Sequence, residues 1–135
     1  MPLPELRLDH VVIASSDFSV SDEFYREVLG ADVRVPHPSF RLYRIGDRQL
    51  NVHPAAPPPE ARVARLAVRP GNSDLCFEWI GSLDEAARHL RSHGVEPEAE
   101  DVPTVGARGP GRSIYFRDPD GSLLELITYP AGVAR

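Results

Sequence analysis

Apolar residues recur along this chain with two different periods, one typical of strands and one typical of helices. Segments of the two kinds follow each other in a regular order. Leu6–Ala14 is apolar on both faces of an extended chain and predicts a first, covered β-strand. Val20, Phe24 and Val28 then recur with helical spacing, which predicts a helix that begins at Ser19 and ends at Gly30. Three shorter strands are predicted after it, at Asp32–Val35, Phe40–Ile45 and Gln49–His53.

The same order of elements returns after a proline-rich stretch. Asn72–Trp79 predicts a strand, and Ser82 with Glu85 three residues later is a capping box that predicts the start of a second helix, ending at Gly94. A weak strand signal at Val95–Glu98 precedes two stronger ones, at Arg112–Arg117 and Ser122–Thr128. We expect the glycine- and proline-rich segment up to Gly111 to be a loop, which is a flexible lid, a backbone cradle for an anion or a plain long connection.

These two runs of elements form an internal repeat. The helix-ending residues Gly30 and Gly94 are 64 positions apart (94 − 30), and so are His10 and Asp74 (74 − 10). Each copy reads βαβββ, over residues 6–53 and 72–129, and residues 54–71 are the linker. Because units of this size bury little surface alone, the copies are expected to pack together as one α+β domain over residues 6–129.

Composition excludes several classes of function. The net charge is −5 over 135 residues without a basic stripe, which argues against nucleic acid as a partner. All fifteen basic residues are Arg, so no lysine is present for Schiff-base chemistry, and the single cysteine, Cys76, excludes an internal disulfide. The chain contains neither a signal-peptide pattern nor an apolar run of about 18 residues, so we expect a cytoplasmic protein that does not enter a membrane.

One stretch, Tyr115–Leu126, reads as strand, turn, strand. Asp118–Gly121 has the sequence Asp-Pro-Asp-Gly, a strong turn signal, and Glu125 follows in the middle of an apolar run. A buried carboxylate is costly unless it is paired or binds a metal. Glu125 is therefore either a metal ligand or a residue on the water-facing side of a half-exposed strand.

The repeat places potential metal ligands at related positions on its strands. These are His10 and His53 in the first copy and Asp74 and Glu125 in the second. Two imidazoles and two carboxylates suit a divalent ion such as Zn²⁺, Mn²⁺, Fe²⁺, Ni²⁺ or Co²⁺. Two alternatives are open: Asn51 aligns with Glu125 better than His53 does, and Asp74 is also explained as a turn residue that caps local amides.

The chain resembles the vicinal oxygen chelate superfamily, which includes glyoxalase I, extradiol dioxygenases, methylmalonyl-CoA epimerase, and the fosfomycin and bleomycin resistance proteins. The segments that carry the resemblance are Leu8–Ile13, Phe24–Gly30 and Tyr115–Leu126. The resemblance implies paired βαβββ modules that form a curved, partly open mixed sheet around a central cleft, usually in a homodimer. It also implies metal ligands at His10, His53, Asp74 and Glu125, although family enzymes more often carry histidine where this chain has Asp74.

The implied function is that of a metal-dependent lyase, isomerase or ring-cleaving dioxygenase acting on a small molecule with vicinal oxygens. Glu125 or Asp74 would act as the base, and the expected substrate-binding residues are Arg44, Asn51, Tyr115 and Arg108, with Arg112 and Arg117 as further arginines for an anionic group. Two alternatives from other classes are a drug- or metabolite-binding protein without turnover, of the bleomycin resistance kind, and a thiol transferase of the fosfomycin type.

Overall fold

A computed structural model describes residues 2–59 and 61–134 of the chain. The chain divides after Arg69 into two compact units, called unit 1 and unit 2 below. Each unit contains one copy of the predicted repeat.

Unit 1 is a four-stranded mixed sheet with one helix. Its elements are β1 (His10–Ser15), α1 (Phe18–Leu29), β2 (Asp32–His37), β3 (Phe40–Ile45) and β4 (Arg48–Pro54). The strand order is β1-β4-β3-β2; β1 runs parallel to β4, and the other neighbours are antiparallel. The hairpin between β3 and β4 turns at Gly46, whose φ of 60° suits glycine.

Unit 2 has the same plan. Its elements are β5 (Asp74–Glu78), α2 (Leu83–Ser92), β6 (Ala99–Gly106), β7 (Gly109–Arg117) and β8 (Leu123–Thr128). The order β5-β8-β7-β6, with β5 parallel to β8, reproduces that of unit 1 strand for strand. The predicted α+β class with two βαβββ repeats is confirmed.

Helix α1 begins two residues earlier than the sequence predicts. Asp17, not Ser19, is its N-cap, and the Asp17 carboxylate accepts hydrogen bonds from the backbone N–H groups of Ser19 and Val20. Both residues are good N-caps, so the pattern alone did not separate them. The capping box of Ser82 and Glu85 at the start of α2 is present as predicted.

The segment expected to be a loop before Gly111 is mostly a hairpin. Strand β6 pairs with β7 up to the pair Gly106 and Gly109, so the prediction of a lid or long loop is wrong. Glycine is required there by space: a Cβ on Gly111 would lie 2.6 Å from the carbonyl oxygen of Thr128. Pro103 is tolerated because β6 is an edge strand.

In each sheet one face packs against the helix and the other bears the candidate site residues. In unit 1 the helix face buries Tyr43 and Val52, and the Tyr43 ring stacks on Tyr25 of α1 with centroids 5.0 Å apart. In unit 2 Phe116 and Leu124 are fully buried, as is Leu90 of α2. Neither helix in the described residues is long and apolar enough to cross a membrane.

Candidate metal and substrate site

Strand register relates the candidate residues of the two units. His10 pairs with Gln49 across β1 and β4, just as Asp74 pairs with Leu123 across β5 and β8. Two residues further along β4 and β8 stand Asn51 and Glu125. The position in unit 1 that corresponds to Glu125 is therefore that of Asn51, not of His53.

His53 lies on the same face of unit 1 as His10 but belongs to a different cross-strand pair. It pairs with Ala14, four residues along β1 from His10, which is roughly 13 Å at the usual rise per residue. The cross-strand pair of Val12 and Asn51 lies between the two histidines. The register thus groups His10 with Asn51 and places His53 towards the end of β4.

The imidazole of His10 is oriented by a hydrogen bond to a neighbouring carboxylate. Its Nδ1 donates a 2.7 Å hydrogen bond to Asp9, and this bond is the main reason that the pKa of Asp9 is lowered. The bond leaves Nε2 as the nitrogen for an ion. Carboxylates that orient a metal-binding imidazole in this way are common behind metal ligands.

Glu125 is 9% exposed and lies on the face of the unit 2 sheet opposite the helix. Its neighbours across the strands are Cys76 on β5 and Tyr115 on β7. The Ser113 hydroxyl donates to its Oε2 at 2.5 Å. An ionised carboxylate has room for about four hydrogen bonds or ligand contacts, so the Ser113 hydroxyl and the Cys76 thiol leave part of its capacity for another group.

The thiol of Cys76 is not suited to act as a nucleophile. Cys76 is an exposed residue, but partial desolvation of its thiol raises the pKa to about 12, and the neighbouring Glu125 carboxylate, with Asp74 beyond it, adds to the effect. A nucleophilic cysteine instead requires a lowered pKa.

Asp74 is the first residue of β5 and is exposed. It shares a face with Glu125, as its diagonal neighbour across the parallel pair. Asp74 is thus part of the strand rather than of the turn before it, and its side chain stands on the same face as the buried carboxylate.

Three of the arginines named from the sequence are held by carboxylates. Arg108 donates to Glu78 at 2.9 Å and to the carbonyl of Ala134. These two contacts engage the guanidinium of a residue that was expected to bind substrate. Arg112 and Arg117 form ion pairs with Asp101 and Glu98.

Arg44 differs from these three. It is exposed, and it pairs across the strands with Gln49, which in turn pairs with His10. It forms no ion pair in the part of the chain that the structure describes. Tyr115 stands beside Glu125 and is half-buried. Arg44 and Tyr115 therefore remain on the faces that carry the metal-ligand candidates.

A pocket of about 260 Å³ in unit 1 was not anticipated. It lies where the linker passes the end of β4. Its lining residues are Ser39, Phe40, Asn51, His53, Pro54, Pro57, Pro58 and Ala61. The proline cluster at 57–59 was visible in the sequence, but nothing in it showed that the linker would fold back against β4.

The donors fit a divalent ion in chemistry but are divided between the units. Over residues 2–59 and 61–134, no three His, Cys, Asp or Glu side chains lie together as an ion-binding group. Unit 1 supplies His10 with Asn51, and unit 2 supplies Asp74 with Glu125. One imidazole and two carboxylates match the ligands preferred by first-row divalent ions, and each unit alone offers too few of them.

A known protein family matches most of this chain. The model of the Glyoxalase/Bleomycin resistance protein/Dioxygenase superfamily matches residues 7–126. The glyoxalase domain-containing protein RDO1 of Mycosarcoma maydis is 36% identical over 122 residues, which are 90% of this chain and 68% of that protein.

Two further relatives cover most of both chains. Virulence protein STM3117 of Salmonella typhimurium is 32% identical over 91% of this chain and 84% of its own, and its crystal structure matches with a TM-score of 0.84. The metallothiol transferase FosB of Staphylococcus haemolyticus is 30% identical over 90% of this chain and 82% of its own. With the fold, the repeat and the family model in agreement, this chain belongs to the Glyoxalase/Bleomycin resistance protein/Dioxygenase superfamily.

Proposed function

We propose that this chain is an enzyme that binds one divalent metal ion through His10, Asp74 and Glu125 and acts on a small molecule with adjacent oxygen atoms. The observation that carries the proposal is Glu125, a carboxylate that is 9% exposed and accepts a hydrogen bond from the Ser113 hydroxyl. When bound, the ion supplies a Lewis acid that holds the substrate oxygens and stabilises negative charge on them.

The residues around these ligands have separate tasks. Asp9 keeps the His10 ring in one orientation through Nδ1. Asp74 is exposed, so water and substrate reach it, and when it is not bound to the ion it would take a proton from a carbon next to a carbonyl. Tyr115 contacts the substrate from beside Glu125, and Arg44 binds an anionic group of it.

The resemblance to the vicinal oxygen chelate superfamily implies a homodimer. We propose the homodimer as the working state.

A second candidate is a protein that binds its small molecule without converting it. The pocket beside His53 favours it, because that pocket exists in unit 1 without any of the three proposed ligands. This candidate predicts binding that does not depend on a metal.

Turnover after metal exchange distinguishes the metal-dependent enzyme from the binding protein. The purified chain is stripped with a chelator, reloaded singly with Zn²⁺, Mn²⁺, Fe²⁺, Ni²⁺ or Co²⁺, and assayed for catechol cleavage and for isomerisation of a thiol–ketoaldehyde adduct. We expect turnover with at least one ion and its loss in Glu125→Gln, whereas Glu98→Gln, a surface carboxylate in the same unit, keeps it. Inactivity with all five ions would contradict the enzyme and favour the binding protein.

A further inference from the structure

Two histidines stand one helical turn apart at the end of α2. His89 lies in the last turn of the helix and His93 is its C-cap, so the two side chains are neighbours on the helix surface. Their ring centroids are 4.7 Å apart, with an interplanar angle of 56°. Two imidazoles that bind one ion at Zn–N distances of about 2.0–2.1 Å have centroids about 5 Å apart, so the observed spacing suits a shared ion.

The hydrogen bonds of His93 orient its ring. Its Nδ1 lies 3.0 Å from the backbone carbonyl oxygen of His89 and 3.1 Å from the hydroxyl of Ser92, which itself donates to that carbonyl. Because a carbonyl oxygen only accepts, Nδ1 carries the hydrogen and donates it. In the neutral ring Nε2 then has the lone pair, and this is the form in which imidazole binds a metal. His93 is exposed, so ions in solution reach its ring.

His89 is held in place by an aromatic neighbour. Its ring is half-buried and lies against the indole of Trp79, with centroids 5.5 Å apart, while its other neighbour is the ring of His93. A histidine ring has two nitrogens, so one can bind an ion while the other makes a hydrogen bond within the protein. Because both rings are already oriented, little side-chain freedom is lost when an ion binds.

The charges around the pair favour a cation. The C-terminal end of a helix carries a partial negative charge from its last carbonyl groups. Arg91, which lies between the two histidines in sequence, forms ion pairs with Glu96 and Glu100, and these offset its charge. Glu85, one turn before His89, belongs to the capping box, and in the described residues no third His, Cys, Asp or Glu joins the two histidines. The protein therefore offers two ligands here, both imidazoles.

We propose that His89 and His93 form a surface site for one Cu²⁺, Ni²⁺ or Zn²⁺ ion, with water at the remaining coordination positions. Imidazole suits these three ions, whereas Mn²⁺ binds most weakly in the first-row order and prefers oxygen ligands, so it is not expected at this pair. Helix α2 covers the face of the unit 2 sheet opposite Glu125. The site is thus separate from the ligands proposed above and does not rest on the function proposed for them.

Quenching of tryptophan fluorescence by Cu²⁺ tests the proposal. Trp79 is the single tryptophan of the chain and its ring contacts that of His89, so a Cu²⁺ ion held by the pair quenches its emission. Metal-free protein is titrated with Cu²⁺, and we expect saturable quenching that a chelator reverses. A titration with Zn²⁺, followed through the histidine ring signals by NMR, is the second readout. The signals of His89 and His93 are expected to shift together.

Variants supply the controls. His93→Ala is expected to weaken the Cu²⁺ binding seen by quenching at least about tenfold, because one imidazole replaces two, and His89→Gln is expected to do the same. His37→Ala, which removes an exposed histidine from unit 1, keeps the quenching. Glu125→Gln also keeps it, so failure of the metal site proposed above and failure of this pair are distinguishable. Equal quenching in the wild type and in His93→Ala, absence of quenching in the wild type, or its loss in Glu125→Gln would overturn the proposal.

Discussion

Glu125 and Cys76 face each other across two parallel strands, and the carboxylate raises the pKa of the thiol. The carboxylate is nearly out of solvent, and its charge adds to the partial desolvation that raises the pKa of the thiol to about 12. Because Cys76 is the single cysteine of the chain, its reaction with an alkylating reagent reports on this one place. The thiol is thus a built-in probe of the charge on Glu125.

We predict that Glu125→Gln speeds the alkylation of Cys76. With a pKa of about 12, roughly 0.1% of the thiol is ionised at pH 9, and removal of the carboxylate charge lowers the pKa and raises that fraction. The measurement is the rate of reaction with iodoacetamide between pH 8 and pH 11, with Glu98→Gln as the control. Rates that are equal in the wild type and in Glu125→Gln would show that the carboxylate does not act on the thiol.

Tyr43 makes a second buried polar contact, on the helix face of unit 1. Its hydroxyl lies 2.7 Å from Asp22 and 2.9 Å from Ser21, and burial raises its pKa. We predict that Tyr43→Phe lowers the free energy of unfolding by about 1–2 kcal/mol, since Asp22 and Ser21 lose a partner. Urea denaturation measures it. Tyr129→Phe, which removes a hydroxyl bonded to a single exposed N–H, should change stability less.

At the scale of elements, the turn at Asp118–Gly121 connects β7 to β8, the strand that carries Glu125. The Asp118 carboxylate accepts from the backbone N–H groups of Asp120 and Ser122, and Asp118 is buried. Gly121 adopts φ 97°, which suits glycine. The turn signal in the sequence correctly predicted this connection because its chemistry is local.

We predict that Asp118→Ala destabilises unit 2 by about 2 kcal/mol, because two backbone N–H groups lose their acceptor. Thermal unfolding measures the change. Asp47→Ala, at an exposed turn of unit 1, is the matched control and should have little effect. A similar loss in both variants would contradict the special role of Asp118.

The β6–β7 hairpin shows where local signals failed. Its glycines and prolines are typical of loops, but Gly111 is required by the closeness of the Thr128 backbone, which lies on the next strand. Such contacts are made between segments distant in sequence, so composition did not reveal them. One strand with an ordinary pattern, Phe40–Ile45, was predicted to the residue.

At the scale of the whole molecule, the repeat determined how much of the site could be predicted. The 64-residue spacing of His10 and Asp74 correctly indicated equivalent positions, which the registers with Gln49 and Leu123 confirm. The choice between Asn51 and His53 depended on register, which a periodicity of two residues does not fix, because both point to the same face. The pocket beside His53 depended on the path of the linker, for which the sequence has no periodic signal.

Binding of Mn²⁺ tests the central claim most directly. Electron paramagnetic resonance counts free Mn²⁺ during a titration of metal-free protein, with wild type, His10→Ala and Glu125→Gln compared with the surface controls His93→Ala and Glu98→Gln. The proposed ligand set predicts about one ion bound per chain in the wild type and in both controls, and at least tenfold weaker binding in the two site variants. Absence of binding in the wild type, or equal binding in all five proteins, would contradict it.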